Sequence, residues 1–117
     1  MNNRQLEEAQ KPLRGLMRRD MTPEQRKLDD ELSAVSMIHS IIAYGYTEGM
    51  TAEDLLNRER NSYHNYLEDH EKKLGEKRLL ELIQENLDDI DHIDCGVFTD
   101  SEGCSYNSIR FKSEVTC

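Results

Sequence analysis

The sequence predicts a mainly α protein of the α+β class: a helical hairpin or small bundle of about three helices, followed by a C-terminal two-stranded β-hairpin. Three observations point there. Apolar residues recur at three- and four-residue spacing from Leu28 to Ile90. Threonine-led helix starts stand at Thr22 and Thr51. After Ile90 the apolar period shortens to two, with the turn residues Asp100-Ser101-Glu102-Gly103 between two alternating runs. The chain has 117 residues, 36% of them hydrophobic, and no Trp. That length predicts a single domain spanning 1–117, with a lean aliphatic core.

Residues 1–20 are polar and basic, interrupted by Pro12 and Gly15, and read either as a flexible arm that orders on binding or as a short packed helix with Leu6, Leu13, Leu16 and Met17 as its stripe. The helical region spans 22–90. Its first helix opens on Thr22-Pro23-Glu24-Gln25, which places a hydroxyl at the N-cap, proline at the first helical position and Gln at N3. Leu28, Leu32, Val35, Ile38 and Ile42 follow at spacings of four, three, three and four, with His39 beside Ile38. This seam predicts a helix over about 23–44, and a homodimer through it would bury further apolar area. A second helix begins at Thr51 and takes Leu55, Leu56, Tyr63, Tyr66 or Leu67, His70 and Leu74 as its stripe, ending at Lys72, Lys73 and Gly75. A third takes Leu79, Leu80, Leu82, Ile83, Leu87 and Ile90, and one long helix kinked at Gly75 is an alternative. The hairpin occupies 93–111, and 112–117 form a loose tail.

Charge is the most uneven property of the chain. Residues 76–102 hold nine carboxylates against Lys77 and Arg78, contributing −7 of the formal −9. Such a run argues against nucleic-acid or anionic-membrane binding and for a basic protein surface as partner. The residues expected to meet that partner are Glu81, Glu85, Asp88, Asp89, Asp91, Asp94, Asp100 and Glu102. Glu81, Glu85, Asp88 and Asp89 recur at helical spacing, about 5–6 Å apart on one face. Successive phosphates of one nucleic-acid strand lie roughly 7 Å apart, so the face imitates a polyanion. A solvated outer face is the plainer reading, but ordinary solvated faces interleave lysine with glutamate.

Other chemistry is poorly supplied. Asp88-Asp89-Ile90-Asp91-His92-Ile93 breaks the pattern of a calcium loop. His64, Glu68 and His70 would be the ligands of a small metal-dependent enzyme, yet they bring no further ligand at helical spacing, and His92 and Cys95 lack a second zinc-binding pair. No glycine-flanked nucleophile or phosphate loop is present, so no catalytic residues, metal or cofactor are expected. Three cysteines, all in the last quarter, suit a reducing compartment and are expected to be free thiols. The start lacks the apolar core of a signal peptide, and no stretch approaches the ~20 apolar residues of a membrane span. A cytoplasmic protein is expected.

The string from Gly96-Val97-Phe98-Thr99-Asp100 through Ser101-Glu102-Gly103-Cys104 to Ser105-Tyr106-Asn107-Ser108-Ile109 resembles the C-terminal ends of small phage and prophage accessory proteins. Lys73-Leu74-Gly75-Glu76-Lys77-Arg78, leading into a Leu/Ile helix, is similar in kind. The resemblance implies a short accessory protein of a mobile element, acting in the host cytoplasm. Small acidic proteins of that class include anti-CRISPR and anti-restriction inhibitors that occupy the basic grooves of nucleic-acid enzymes. The class shares no motif, so it transfers no functional residues. The expected function is therefore a non-enzymatic inhibitor of a host nucleic-acid-handling enzyme. Its rivals are a homo-oligomeric phage regulatory or structural subunit and the small metal-dependent enzyme.

Overall fold

The computed structural model describes residues 3–114; Cys117 and the end of the tail lie outside them. Five helices precede one antiparallel hairpin: α1 (Asn3–Gln10), α2 (Pro23–Gly45), α3 (Ala52–Arg60), α4 (Glu68–Leu74), α5 (Glu76–Asp88), β1 (Ile90–Thr99) and β2 (Ser105–Phe111). The mainly α reading with a C-terminal hairpin is what the chain forms.

Both threonine starts close as capping boxes. The Thr22 hydroxyl accepts the Gln25 N–H while the Gln25 side-chain carbonyl accepts the Thr22 N–H, at 3.2 and 2.9 Å. Thr51 and Asp54 repeat the exchange at 3.1 and 2.9 Å. Helix α2 is the spine of the fold. Its Ala34, Val35, Ile38, Ile41 and Ile42 join Ala52, Leu55, Leu56, Leu67, Leu79, Leu82 and Ile83 in one buried cluster. Each fully buried aliphatic side chain there contributes roughly 1.5–3 kcal/mol.

This corrects the reading of the α2 seam as an assembly surface. Leu32, Val35, Ile38 and Ile42 are at most 5% exposed, covered by elements of the same chain, and Leu28 packs against a smaller cluster of Leu13, Met21 and Leu32. The seam is spent within one molecule. That smaller cluster decides between the two readings of the N-terminal segment in favour of packing: Leu6, Ala9 and Leu13 tie it to α2, and the chain forms short 3-10 turns at 11–13 and 18–20.

The predicted second helix is two helices. From Asn57 to Asn65 no aliphatic residue is available to face the core, and Tyr63, taken as part of the stripe, is 96% exposed. The Ser62 hydroxyl donates to the Arg58 carbonyl and the Asn65 side chain accepts the Leu67 N–H, so the turn satisfies its own backbone. Leu67 then re-enters the core. Gly75, at φ +85°, ends α4 and starts α5, so the continuous kinked helix is also excluded. Arg60 fastens the junction by reaching Glu71 at 2.8 Å and Glu76 at 3.0 Å.

The four turn residues predict Thr99 opposite Cys104 and Cys95 opposite Ser108, and the hairpin register is one residue from that pairing. Thr99 faces Ser105 and Asp94 faces Ser108, with an irregularity between Asp94 and Phe98. The side chain of Asn107 sits at that irregularity. Its Oδ1 accepts the Gly96 N–H at 2.9 Å, and its Nδ2 donates to the carbonyls of Ile42 and Tyr46 at 2.8 and 2.9 Å. One amide thus stitches both strands to the carbonyls at the end of α2, where the Ile42 carbonyl also accepts the Tyr46 N–H. Lower down, the His39 ring lies 4.9 Å from Phe111 and bonds the fully buried Asn86 at 2.8 Å, joining α2, α5 and β2. The segment 112–114, expected as tail, makes a further 3-10 turn.

Cys95 and Cys104 are exposed free thiols, while Cys117 lies outside the described residues. The Asp100 N–H donates to the Cys104 carbonyl, which puts the two cysteines about five strand positions, roughly 15 Å, apart, beyond disulfide reach. Iodoacetamide without reductant is expected to modify both in the folded protein. Protection of the pair would overturn this register.

Candidate functional site

The eight acidic residues divide into two groups and one exception. Glu81, Glu85 and Asp88 lie exposed on α5, and Asp91 and Asp94 lie exposed at the start of β1. Asp100 and Glu102 sit at the hairpin turn, roughly 20–30 Å along β1 from Asp94 and Asp91. Asp89 is the exception. It is only 9% exposed, its Oδ2 accepts the Ser113 hydroxyl at 2.7 Å and its carbonyl accepts the Lys112 N–H at 2.7 Å. Helical spacing placed it on the outer face, but α5 ends at Asp88 and the chain turns there. Asp89 is a structural tie at the base of the hairpin and leaves the surface set.

The α5 carboxylates are less unbalanced than their sequence implies. Arg78 reaches Glu81 at 3.1 Å and Glu85 at 3.7 Å, while its Nε and Nη2 donate to the buried Glu31 of α2 at 2.8 and 3.3 Å. Asp88 accepts from Gln84, Asp91 pairs with Arg110 at 2.7 Å, and Asp94 meets His92 at 3.0 Å. Apart from the half-buried Arg78–Glu31 pair, these are surface contacts, individually worth under about 1 kcal/mol, and they leave α5–β1 negative and open.

The turn acids belong to a different environment, a cavity of about 500 Å³ between α2, α3 and the hairpin turn. Met37 and Ile41 contribute apolar wall; Tyr44, Arg58, Glu59, Tyr66, Asp100 and Glu102 supply its polar groups. Asp100 is tightly held. Its Oδ1 accepts the N–H groups of Glu102 and Cys104, each at 2.9 Å, and its Oδ2 accepts the Tyr44 hydroxyl at 3.2 Å. Those backbone donors, Cys104 foremost, hold its carboxyl below the usual range, while burial and the bond to Asp100 push the Tyr44 phenol up.

Glu59 is the anomaly of this wall. It is 8% exposed, and its Oε2 has no hydrogen-bond partner. Burial raises its pKa, against the opposing pull of the Tyr66 backbone N–H and the Arg58 charge. A carboxyl whose folded pKa is raised contributes stability that is complete below its unfolded pKa and is lost as pH rises through the folded value. Glu59→Gln is therefore expected to raise the melting temperature by a few degrees at pH 7. The gain should shrink as pH falls toward about pH 4, because protonation removes the charge that burial penalises. A gain of equal size at both pH values would assign the effect to packing, not ionisation.

Sequence reasoning missed Arg58 and Glu59, although a signal was present. Ala52, Leu55, Leu56 and Glu59 share one helical face, so a carboxylate stands where the fourth apolar residue belongs.

The metal candidates are dispersed. His64 meets the Tyr63 ring edge-to-face, with centroids 4.7 Å apart, in the α3–α4 turn, and Glu68 pairs with Lys72 at 3.0 Å. Burial and the nearby Lys73 lower the pKa of His70. Among the described residues no group of three or more His, Cys, Asp or Glu side chains is placed to hold a metal, and no helix is long and apolar enough to cross a membrane. No protein-family model, curated protein or solved structure matches the chain.

Proposed function

We propose that this chain is a non-enzymatic, phage-encoded inhibitor that binds a host nucleic-acid-handling defence enzyme, of which a CRISPR effector is one kind, through an acidic surface. The observation that carries the reading is the exposure of Glu81, Glu85, Asp88, Asp91 and Asp94 on the contiguous α5–β1 segment, with no lysine interleaved. A groove lined by Lys and Arg for a phosphate backbone is complementary to such a surface, and binding there excludes the nucleic acid. The resemblance of 96–109 to phage accessory proteins supports the source, and the host cytoplasm follows from it. The partner is a protein; neither nucleic acid nor membrane is a direct ligand, and no cofactor is required. The rival homo-oligomer loses support because its seam is buried within one chain.

The test is competition. Once the partner is isolated by pull-down from host lysate, duplex DNA titrated into the complex is expected to displace the chain. Raising salt from ~0.05 to ~0.3 M should weaken the complex markedly, because screening shortens the reach of exposed charges. A complex indifferent to both DNA and salt would reject nucleic-acid mimicry.

A further inference from the structure

The α5–β1 surface leaves the cavity at the hairpin turn unexplained, and that cavity is lined by Glu59, whose Oε2 is the one buried side-chain nitrogen or oxygen among the described residues without a hydrogen bond. An anionic oxygen removed from water without a donor is costly, so the wall is incomplete as it stands. Its charges specify what would complete it. Glu59, Asp100 and Glu102 face a single cation, Arg58, so the lining favours a positive guest.

Arg58 does not neutralise Glu59. Its exposed guanidinium lies against Gly45, where a methyl group would overlap it, and it acts on Glu59 only through space. Gly45 closes α2, so the guanidinium rests beside the negative end of that helix. Asp100 has its oxygens occupied by Tyr44 and the turn backbone, which leaves Glu59 and Glu102 as acceptors. Tyr44 and Tyr66 are 51% and 58% exposed on the same wall, aromatic rings attract cations, and Ile41 and Met37 suit an aliphatic stem.

We propose that this cavity receives the guanidinium of an arginine side chain from the basic partner, with Glu59 as its acceptor and Tyr44 and Tyr66 lining its approach. Arginine fits better than lysine because a planar guanidinium combines several fixed donors with stacking on aromatic rings. As the guest enters, like-charge repulsion moves the Arg58 side chain outward into solvent. The inference rests on the partner being a basic protein. It makes the turn a second anchor, spatially separate from the α5–β1 surface.

The pocket is tested without the partner. N-acetyl-argininamide is titrated into the full chain by NMR, with N-acetyl-citrullinamide as its neutral isostere. Saturable shifts are expected around Tyr44, Ser62, Tyr66 and Glu102 with the arginine derivative and not with the citrulline derivative. Glu59→Gln should weaken binding at least tenfold while the protein stays folded, and Arg58→Ala should tighten it several-fold by removing the competing cation. Absence of saturable shifts, equal binding of the neutral isostere, or wild-type affinity in Glu59→Gln would each overturn the proposal. Because DNA competition interrogates the partner complex and this titration interrogates the isolated chain, either reading can fail while the other stands.

Discussion

Val35→Asp is expected to leave the chain unfolded at room temperature. Val35 is fully buried in the middle of α2, among Ile38, Ile42 and the leucines of α3 and α5. The substitution removes about 1.5–3 kcal/mol of apolar burial and places a carboxylate where no donor is available. The sum is several kcal/mol, against a typical total stability of about 5–15 kcal/mol. Circular dichroism should show loss of helical signal and of a cooperative melt. Val35→Ala grades the effect: it should fold with a loss of about 2 kcal/mol. Ser36→Asp, one residue along on the exposed side, should melt like the wild type. A Val35→Asp protein that melts normally would mean that α2 presents a different face to the core.

The parts of the fold legible in the sequence are those governed by local chemistry. Thr22-Pro23-Glu24-Gln25 announces a helix start because hydroxyl, proline and amide each satisfy a specific need of the first turn, and all of them do so here. The α2 stripe was legible for the same kind of reason, since five apolar residues at helical spacing have one way to be buried together. What that stripe packs against was not, because apolar spacing is identical for a seam between copies and a core within one chain. The α3–α4 break is not legible because Tyr63 falls at stripe spacing although its ring faces solvent, and of the alternatives Tyr66 and Leu67 only Leu67 goes inward.

The candidate site divides along the same line. The acidity of α5 and β1 is a property of composition, and it survives folding with Asp89 as the loss. The cavity at the turn is a property of long-range packing. It brings together Tyr44 of α2, Glu59 of α3 and Asp100 of the turn, and no local pattern joins residues so far apart in sequence. Polar residues within apolar stripes are the one trace such contacts leave. Glu59 in α3 and Asn86 in α5 both occupy such positions. Asn86 is satisfied by His39 and the Leu82 carbonyl, so it reads as structural, whereas Glu59 keeps an oxygen without a partner.

Reversing three exposed carboxylates on α5–β1 is expected to abolish partner binding without unfolding the chain. Glu85, Asp88 and Asp94 suit the test, because their contacts to Arg78, Gln84 and His92 are surface contacts. Asp89 must be left alone, since it holds Ser113 and the end of β2 in place. Relieving like-charge repulsion on α5 offsets the lost surface pairs, each effect amounting to tenths of a kcal/mol, so the melting temperature should move little. At the interface the field changes sign. A repulsive contact there costs several kcal/mol, so affinity should fall by about 100-fold or more, equivalent to about 2.8 kcal/mol. The control carries the same change in net charge at exposed residues elsewhere: Glu7, Glu24 and Glu48 to Lys. At ~0.15 M salt, where charges act over about 8 Å, that variant should lose less than tenfold. Equal losses from the two variants would reduce the effect to overall charge. An intact affinity in the first would make the acidic run a solubility feature and reject an inhibitor that docks through it.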